Sequence, residues 1–148
     1  MSEKRNNYIE KEYHKNQAEL IEDWGVIMSI IVDWGDADDT LLIWHFPHNW
    51  TSRDLQNAYG LANDILSKVN YEIDIIFDFG YTINPPQNTI QLCRGLLLHC
   101  PHNVRSVIIL GRTRYWERIF SLVLRLQTFE HTVHFVQTVD EAYALLDV

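Results

Sequence analysis

The chain of 148 residues is acidic, with a net charge of −8 at neutral pH, and it contains only two cysteines. Its length allows a stable buried core without disulfides or bound metals, and two cysteines are too few for a disulfide scaffold. The negative charge argues against general nucleic-acid binding, and the lack of a long apolar run argues against a membrane span. With no apolar segment of the signal-peptide type at the N-terminus, we expect a cytoplasmic protein.

Residues 1–22 are polar and weakly periodic, and we interpret them as an N-terminal tail before one domain at residues 23–148. Residues 26–33 (VIMSIIVD) and residues 40–46 (TLLIWHF) are rich in β-branched and aromatic side chains, which predicts two strands. The acidic turn between them is short, so the strands are expected to form an antiparallel hairpin.

The clearest predicted helix follows this hairpin. Thr51 and Asp54 have the spacing of a capping box, and Trp50 and Leu55 have that of a hydrophobic staple. Its apolar positions follow helical periodicity and predict one face packed on a sheet: Leu55, Ala58, Tyr59, Ala62, Ile65, Leu66 and Val69.

Strands and helices then alternate. Residues 73–79, 104–110 and 132–136 are predicted strands, and the first of these has the apolar density of a central strand. A helix with Ile90, Cys93, Leu97 and Cys100 on its buried face is expected between the first two. The next helix is expected to start at a Thr113 cap, and its predicted buried residues are Ile119, Phe120, Val123 and Leu126.

Thr138 and Glu141 predict a capping box for a last helix that ends near Leu146. The complete order is β-β-α-β-α-β-α-β-α. This order predicts an α/β domain with four helices and a five-stranded mixed sheet, parallel after the hairpin and with right-handed crossovers.

The element order resembles the STAS domain, the SpoIIAA-like fold of bacterial anti-sigma factor antagonists. The local features of the resemblance are the WTSRDL helix entry, the strand that ends in DFG, and the closing TVDEAYALL helix. The resemblance covers residues 26–148. It implies a non-enzymatic regulatory module that acts through protein–protein interaction.

The loop within FDFGYTINPPQNT, residues 77–89, departs from the phospho-switched members of that family. Those members carry Asp-Ser-Ser-Gly where this chain has Asn84, Pro85, Pro86 and Gln87, and no serine occurs in residues 71–104. Thr82, Thr89 and Tyr81 are the hydroxyl-bearing residues of this loop. We therefore expect no serine phosphorylation switch here.

Three groups of residues have the composition of a chemical site, and each also has a simpler structural interpretation. Cys93, His99, Cys100 and His102 offer zinc-type ligands, but their spacing is not that of a zinc finger, so buried free thiols are expected and no metal is assigned. Residues 33–39 are acidic but lack the EF-hand pattern, and an exposed hairpin tip is expected. No nucleophile elbow, phosphate-binding loop or dinucleotide motif is present, so neither an enzyme nor a cofactor is predicted.

The predicted binding site is a rim at the carboxyl ends of the third and fourth strands, where ligands of parallel sheets tend to bind. We expect a basic helix start, which favours anions, to lie beside the loop after the third strand. The candidate residues are Asp78, Thr82, Asn84, Arg112, Thr113 and Arg114. Tyr115 and Trp116 are possible anchors for a partner, although Trp116 also fits a core position.

Charge is distributed unevenly along the chain. Residues 94–125 contain six arginines and one acid, whereas residues 10–78 contain fourteen acids and four basic residues. The favoured prediction is binding to a protein partner, or self-association as a homodimer in which the acidic and basic halves pair. The alternative is a sensor domain for a small anionic or amphipathic ligand held near Arg112 and Arg114.

Overall fold

A computed structural model describes residues 29–146; the predicted tail and the first three residues of the first predicted strand lie outside this range. Strand β1 (Ile31–Trp34) pairs antiparallel with β2 (Leu41–His45), as predicted. Within the described residues, β1 begins later than expected and runs one residue further, because Trp34 still pairs with Leu42. The Gly35 N–H then donates to the Leu41 carbonyl at 2.7 Å and closes the hairpin.

The remaining elements confirm the predicted order. They are α1 (Ser52–Leu66), β3 (Ile73–Asp78), α2 (Thr89–Leu98), β4 (Val104–Leu110), α3 (Tyr115–Leu126), β5 (Thr132–Val136) and α4 (Val139–Leu146). The sheet has the strand order β1-β2-β3-β4-β5, and the strands from β2 to β5 are parallel. All six residues of the central strand β3 are buried, as its apolar density predicted.

Helices pack on both faces of the sheet. The larger core contains apolar residues of α1, α2 and α3 together with Ile75 and Phe77 of β3. The second core contains Ala142, Tyr143 and Leu146 of α4 together with Ile76, which points to the opposite face. The alternation along β3 follows from the two-residue period of a strand.

The capping box predicted at the start of α1 is present in full, whereas only one of its two hydrogen bonds forms at the start of α4. The Asp54 N–H donates to Thr51 Oγ1 at 3.2 Å, and the Thr51 N–H donates to the Asp54 carboxylate at 2.9 Å. At α4 the Glu141 N–H donates to Thr138 Oγ1 at 3.2 Å, and the Glu141 carboxylate accepts from the Gln137 N–H at 3.5 Å.

Five details of the predicted helices were wrong. Val69 lies beyond the end of α1 at Leu66. The N-cap of α3 is Arg114, and Thr113 Oγ1 instead accepts the Tyr115 N–H at 3.3 Å. Cys100 lies beyond the end of α2 at Leu98. Ile90 and Leu126 are 39% and 69% exposed rather than buried. Around the helix axis, each of these two residues lies roughly a quarter turn away from the centre of the buried face of its helix.

None of the helices in residues 29–146 combines the length and the apolar character needed to cross a bilayer.

Candidate functional site

The carboxyl ends of the parallel strands β2 to β5 meet at one edge of the sheet, here called the carboxyl edge. Under its loops lies an aromatic cluster. The Phe79 and Trp116 rings stack with centroids 3.9 Å apart, Phe46 stacks on Phe79 at 4.3 Å, and Trp50 lies 5.0 Å from Phe46. Trp116 is therefore a core residue, whereas its neighbour Tyr115 is 40% exposed. Stacked rings of this kind fix the loops above them.

Asp78 ends β3 and is almost fully buried. Its carboxylate lies 3.4 Å from Nδ1 of His45, and both side chains are 1% exposed. The other carboxylate oxygen accepts the Gly80 N–H at 2.8 Å. His45 was not among the predicted site residues, although it ends the neighbouring strand and faces Asp78 in register. Because the two residues end neighbouring strands, the sequence pattern could have indicated that His45 lies beside Asp78.

Thr82 and Asn84 connect two loops of the carboxyl edge. The Thr82 hydroxyl donates to the Pro47 carbonyl at 2.9 Å, and the Asn84 N–H donates to the His48 carbonyl at 3.2 Å. His48 in turn has Nδ1 2.6 Å from the Tyr81 carbonyl oxygen. These contacts hold the loop after β3 against the loop after β2.

A cavity of about 180 Å³, here called the Asp78 cavity, opens beside Asp78 and Arg112. Arg112 is exposed, and its guanidinium lies 5.5 Å from the centroid of the Tyr81 ring, within range of a cation–π contact. Burial is the main cause that raises the pKa of Tyr81; Asp78 raises it further and Arg112 lowers it. The remaining lining residues are Gly80, Leu110, Gln137, Thr138 and Val139.

Thr113 and Arg114 line a second cavity of about 220 Å³, here called the Trp116 cavity. Its other lining residues are Ile109, Gly111, Trp116, Glu117, Phe135, Val136, Gln137 and Glu141. Gln137, which follows β5, borders both cavities, and residues of the loop after β4 line each of them. The six predicted residues thus occupy three places: Asp78 and Arg112 share a cavity, Thr113 and Arg114 share another, and Thr82 and Asn84 join the loops.

The positive charge of Arg114 continues along α3. Arg114, Arg118, Leu122 and Arg125 follow the helical repeat and line one shallow groove together with Glu117 and Ser121; we call the first four residues the arginine face. Arg118 and Arg125 were not among the predicted site residues, although their spacing from Arg114 is the signal that would have identified them. Among residues 29–146 the close contacts between a basic side chain and a carboxylate are His45–Asp78 and Arg105–Asp74, and neither involves this face.

The cysteines and histidines near α2 do not converge. Cys93 is fully buried, burial raises the pKa of its thiol, and burial raises the pKa of the partly buried Cys100 to about 12. The His99 ring stacks on Tyr59 with centroids 4.4 Å apart, and its Nδ1 lies 2.8 Å from the Gly95 carbonyl oxygen. In residues 29–146 no three His, Cys, Asp or Glu side chains are grouped so that they could hold a metal ion.

The acidic hairpin tip differs from the expectation at one position. Asp36 is only 7% exposed, because its carboxylate accepts the N–H groups of Thr40 and Leu41 at 2.8 and 3.0 Å and the Thr40 hydroxyl. Asp36 therefore has a structural role in the turn.

No protein-family model and no curated protein matches the chain. The crystal structure of an uncharacterized protein from the DUF3478 family, from Shewanella loihica PV-4, is described as having a SpoIIAA-like fold and superposes with a TM-score of 0.59. The match covers 80% of this chain and 92% of the other at 16% sequence identity, a level at which the likeness concerns the fold alone. Together with the strand order and helix arrangement above, this match shows that the chain has a SpoIIAA-like fold.

Proposed function

We propose that this chain is a non-enzymatic STAS-like regulatory or scaffold module that binds an acidic surface of a partner protein. The observation that carries the proposal is the arginine face of α3. Its three guanidinium groups form no ion pair with a carboxylate of the described residues, in a chain that is acidic as a whole. A patch with an excess of positive charge attracts and orients a complementary negative surface.

Apolar side chains adjoin the arginines and supply the other component of a protein interface. Leu122 and Leu126 of α3 are 39% and 69% exposed, and Ile90 and Leu98 of α2 are 39% and 60% exposed. Arginine is enriched in interfaces, and apolar groups form their buried centres. We therefore expect a partner segment that carries both carboxylates and apolar side chains.

The charge of the chain favours a protein over a membrane surface. An arginine-rich helix face with leucines could also lie on anionic lipids. The net charge of −8, however, opposes adsorption to a negative leaflet.

The arrangement of charge across the sheet favours a foreign partner over a second copy. The acidic hairpin lies at the β1 edge, whereas α3 connects β4 to β5 at the opposite edge. In a closed two-fold dimer, the same surface patch of both copies forms the interface. If the acidic edge of one copy bound the basic edge of the next, the copies would instead assemble head to tail into longer chains.

In this proposal, regulation does not use serine phosphorylation in the loop after β3, since residues 71–104 contain no serine. The Thr82 hydroxyl already donates to Pro47, and the Thr89 side chain is 4% exposed with its hydroxyl on the Pro86 carbonyl.

The test begins with a photo-crosslinking amino acid in place of Leu122, to identify the protein that contacts α3 in cells. The purified partner is then titrated calorimetrically with three proteins at low and high salt. These are the wild type, the double variant Arg114→Ala with Arg118→Ala, and the control Arg53→Ala with Lys68→Ala, which removes the same charge from exposed positions elsewhere. We expect at least about tenfold weaker binding by the first variant only, and weaker wild-type binding at high salt.

Equal weakening by the control variant would assign the effect to net charge and contradict the proposed face. Two further experiments test whether a membrane or a second copy of the chain binds the arginine face instead. They are sedimentation with phosphatidylserine vesicles and sedimentation equilibrium of the protein alone. Vesicle binding would show that the arginine face binds a membrane and not a foreign protein. Salt-sensitive self-association that is lost in the Arg114→Ala and Arg118→Ala variant would show that the partner is a second copy of the chain.

A further inference from the structure

A groove of about 510 Å³ lies between the starts of α2 and α3 and is here called the α2–α3 groove. Its lining residues are residues 85–91, which include two prolines and Ile90, together with Tyr115 and Ile119 of α3. The side chains of Ile90 and Tyr115 are 39% and 40% exposed. Among residues 29–146, the apolar walls of this groove are thus left partly open to solvent.

The chain that precedes the described residues enters close to this groove. Strand β1 is antiparallel to β2, and its first residue Ile31 pairs with His45 at the end of β2, so residue 29 lies at the carboxyl edge. Ile30 is buried in the larger core, on the face of the sheet that also carries α2 and α3. The entry point of residues 1–28 and the α2–α3 groove therefore share one edge and one face of the sheet.

The sequence just before the entry point combines carboxylates with apolar side chains. In residues 16–28 (NQAELIEDWGVIM) there is no lysine, arginine or histidine. The acids are Glu19, Glu22 and Asp23, and the apolar residues between and beside them are Leu20, Ile21 and Trp24. This is the composition that the arginine face and its neighbouring apolar side chains would attract.

We propose that residues 19–24 of this chain dock in the α2–α3 groove, with their apolar side chains against Tyr115 and Ile119 and their carboxylates towards Arg114 and Arg118. Each of these arginines precedes a groove residue by one position and therefore lies about 100° further around α3. The docked segment lies beside the arginine face and competes with the partner protein. This competition rests on the proposed function, whereas the docking itself does not.

The connecting chain is long enough for this contact. Three strand spacings, about 14 Å, separate β1 from β4, which leads into α3. Leu20 and Ile30 are ten residues apart, and ten extended residues span up to roughly 33 Å. More than half of this length remains for the step from the sheet to the helix layer. A short tether holds the segment at an effective concentration in the millimolar range, so a weak contact is sufficient.

The experiment detects docking in the purified full chain, without a partner. The photo-crosslinking amino acid p-benzoylphenylalanine replaces Tyr115, an exposed aromatic residue, and the protein is irradiated and digested. Mass spectrometry should find the main crosslink in residues 16–28. A mixture of ¹⁴N-labelled and ¹⁵N-labelled chains shows whether the crosslink is internal, because a crosslink between two copies joins peptides with different labels.

Two pairs of substitutions with the same spacing test the segment. Leu20→Ser with Trp24→Ser should lower the crosslink yield at least about fivefold, because the apolar side chains for the groove are lost. Ile9→Ser with Tyr13→Ser removes two apolar residues, also four positions apart, from an earlier part of the chain and should leave the yield unchanged. An equal loss in both variants would contradict a specific docking segment.

A charge exchange tests the orientation. Arg114→Glu with Arg118→Glu should lower the crosslink yield at least about fivefold, and the addition of Glu19→Arg with Asp23→Arg should restore it. Failure of the second pair to restore the yield would contradict the proposed contact between carboxylates and arginines. The four positions are compared at low salt, where charge pairs are least screened.

Calorimetric titration with the partner protein separates this inference from the proposed function. The variant Leu20→Ser with Trp24→Ser should bind the partner at least about threefold more tightly than the wild type, because no internal segment competes. Unchanged affinity would contradict the competition. An absent crosslink, or one that joins two labels, would overturn the internal docking even if the partner binds the arginine face. A normal internal crosslink without any partner binding would contradict the proposed function and leave the docking established.

Discussion

His45 and Asp78 face each other at the ends of β2 and β3, with Nδ1 of the histidine 3.4 Å from the aspartate carboxylate and both side chains 1% exposed. The Asp78 carboxylate also accepts a hydrogen bond from the Gly80 N–H, so one buried side chain links the end of β3 to the first turn of the following loop. Removal of one member of a buried pair leaves the other without compensation, which is costly.

We expect Asp78→Ala to lower the free energy of unfolding by about 3 kcal/mol or more. The control is Asp64→Ala, an exposed carboxylate near the end of α1, where the change should be within about 0.5 kcal/mol. Urea unfolding followed by tryptophan fluorescence measures both. A loss for Asp78→Ala no larger than that for Asp64→Ala would show that the pair contributes little to stability.

Two glycines should respond in opposite ways to substitution by alanine. A Cβ at Gly111 would lie 2.8 Å from the Trp116 indole, which is held by its stack on Phe79, so Gly111→Ala should destabilise the protein by roughly 1–3 kcal/mol. Gly60 lies inside α1 with no atom near its Cβ position, and Gly60→Ala should stabilise it by about 0.5–1 kcal/mol. Thermal unfolding of the two variants compares them directly; a Gly111→Ala variant at least as stable as the wild type would contradict the packing of Trp116.

The thiols should be unreactive in the native protein. Burial raises the pKa of Cys100 from 9.0 to about 12, which lowers its thiolate fraction at pH 8 by roughly a thousandfold. In a Cys93→Ala variant, Ellman's reagent should therefore modify native Cys100 far more slowly than the unfolded chain. The native rate should still rise about tenfold per pH unit above pH 9, where the unfolded rate levels off. A native rate that also levels off near pH 9 would contradict the raised pKa.

The same shift has a consequence for stability. A thiol whose pKa is raised by folding favours the native state below the unfolded pKa of 9.0, and this contribution is lost as the pH rises towards about 12. Unfolding free energies measured from pH 8 to pH 11 should fall less in Cys100→Ala than in the wild type.

Incubation with a kinase directed at STAS domains should leave the intact mass of the protein unchanged. The two threonine hydroxyls of the loop after β3 already donate to the carbonyls of Pro47 and Pro86, and a phosphate would break these contacts. Stoichiometric phosphate on Thr82 or Thr89 would contradict this prediction, and Thr82→Ala and Thr89→Ala would show which one carries it.

The sequence predicted the element order well, because helical and strand periodicities are local properties of the chain. It failed at Ile90 and Leu126, because the direction in which a helix turns its buried face depends on the sheet below it. It placed Asp78 and Arg112 on one rim from the parallel strands alone. It could not separate Arg112 from Arg114, since the path of a four-residue loop decides which cavity each side chain lines.

The order of strands across the sheet repeats their order along the chain. Ile43 pairs with Ile76, and Ile76 pairs with Ile108, so each strand meets the one formed before it and no strand is inserted between two earlier ones. Contacts between residues that are not far apart in sequence favour rapid folding. From β2 onwards the sheet can thus grow during synthesis by one strand and one helix at a time, with the carboxyl edge completed only when β5 is added.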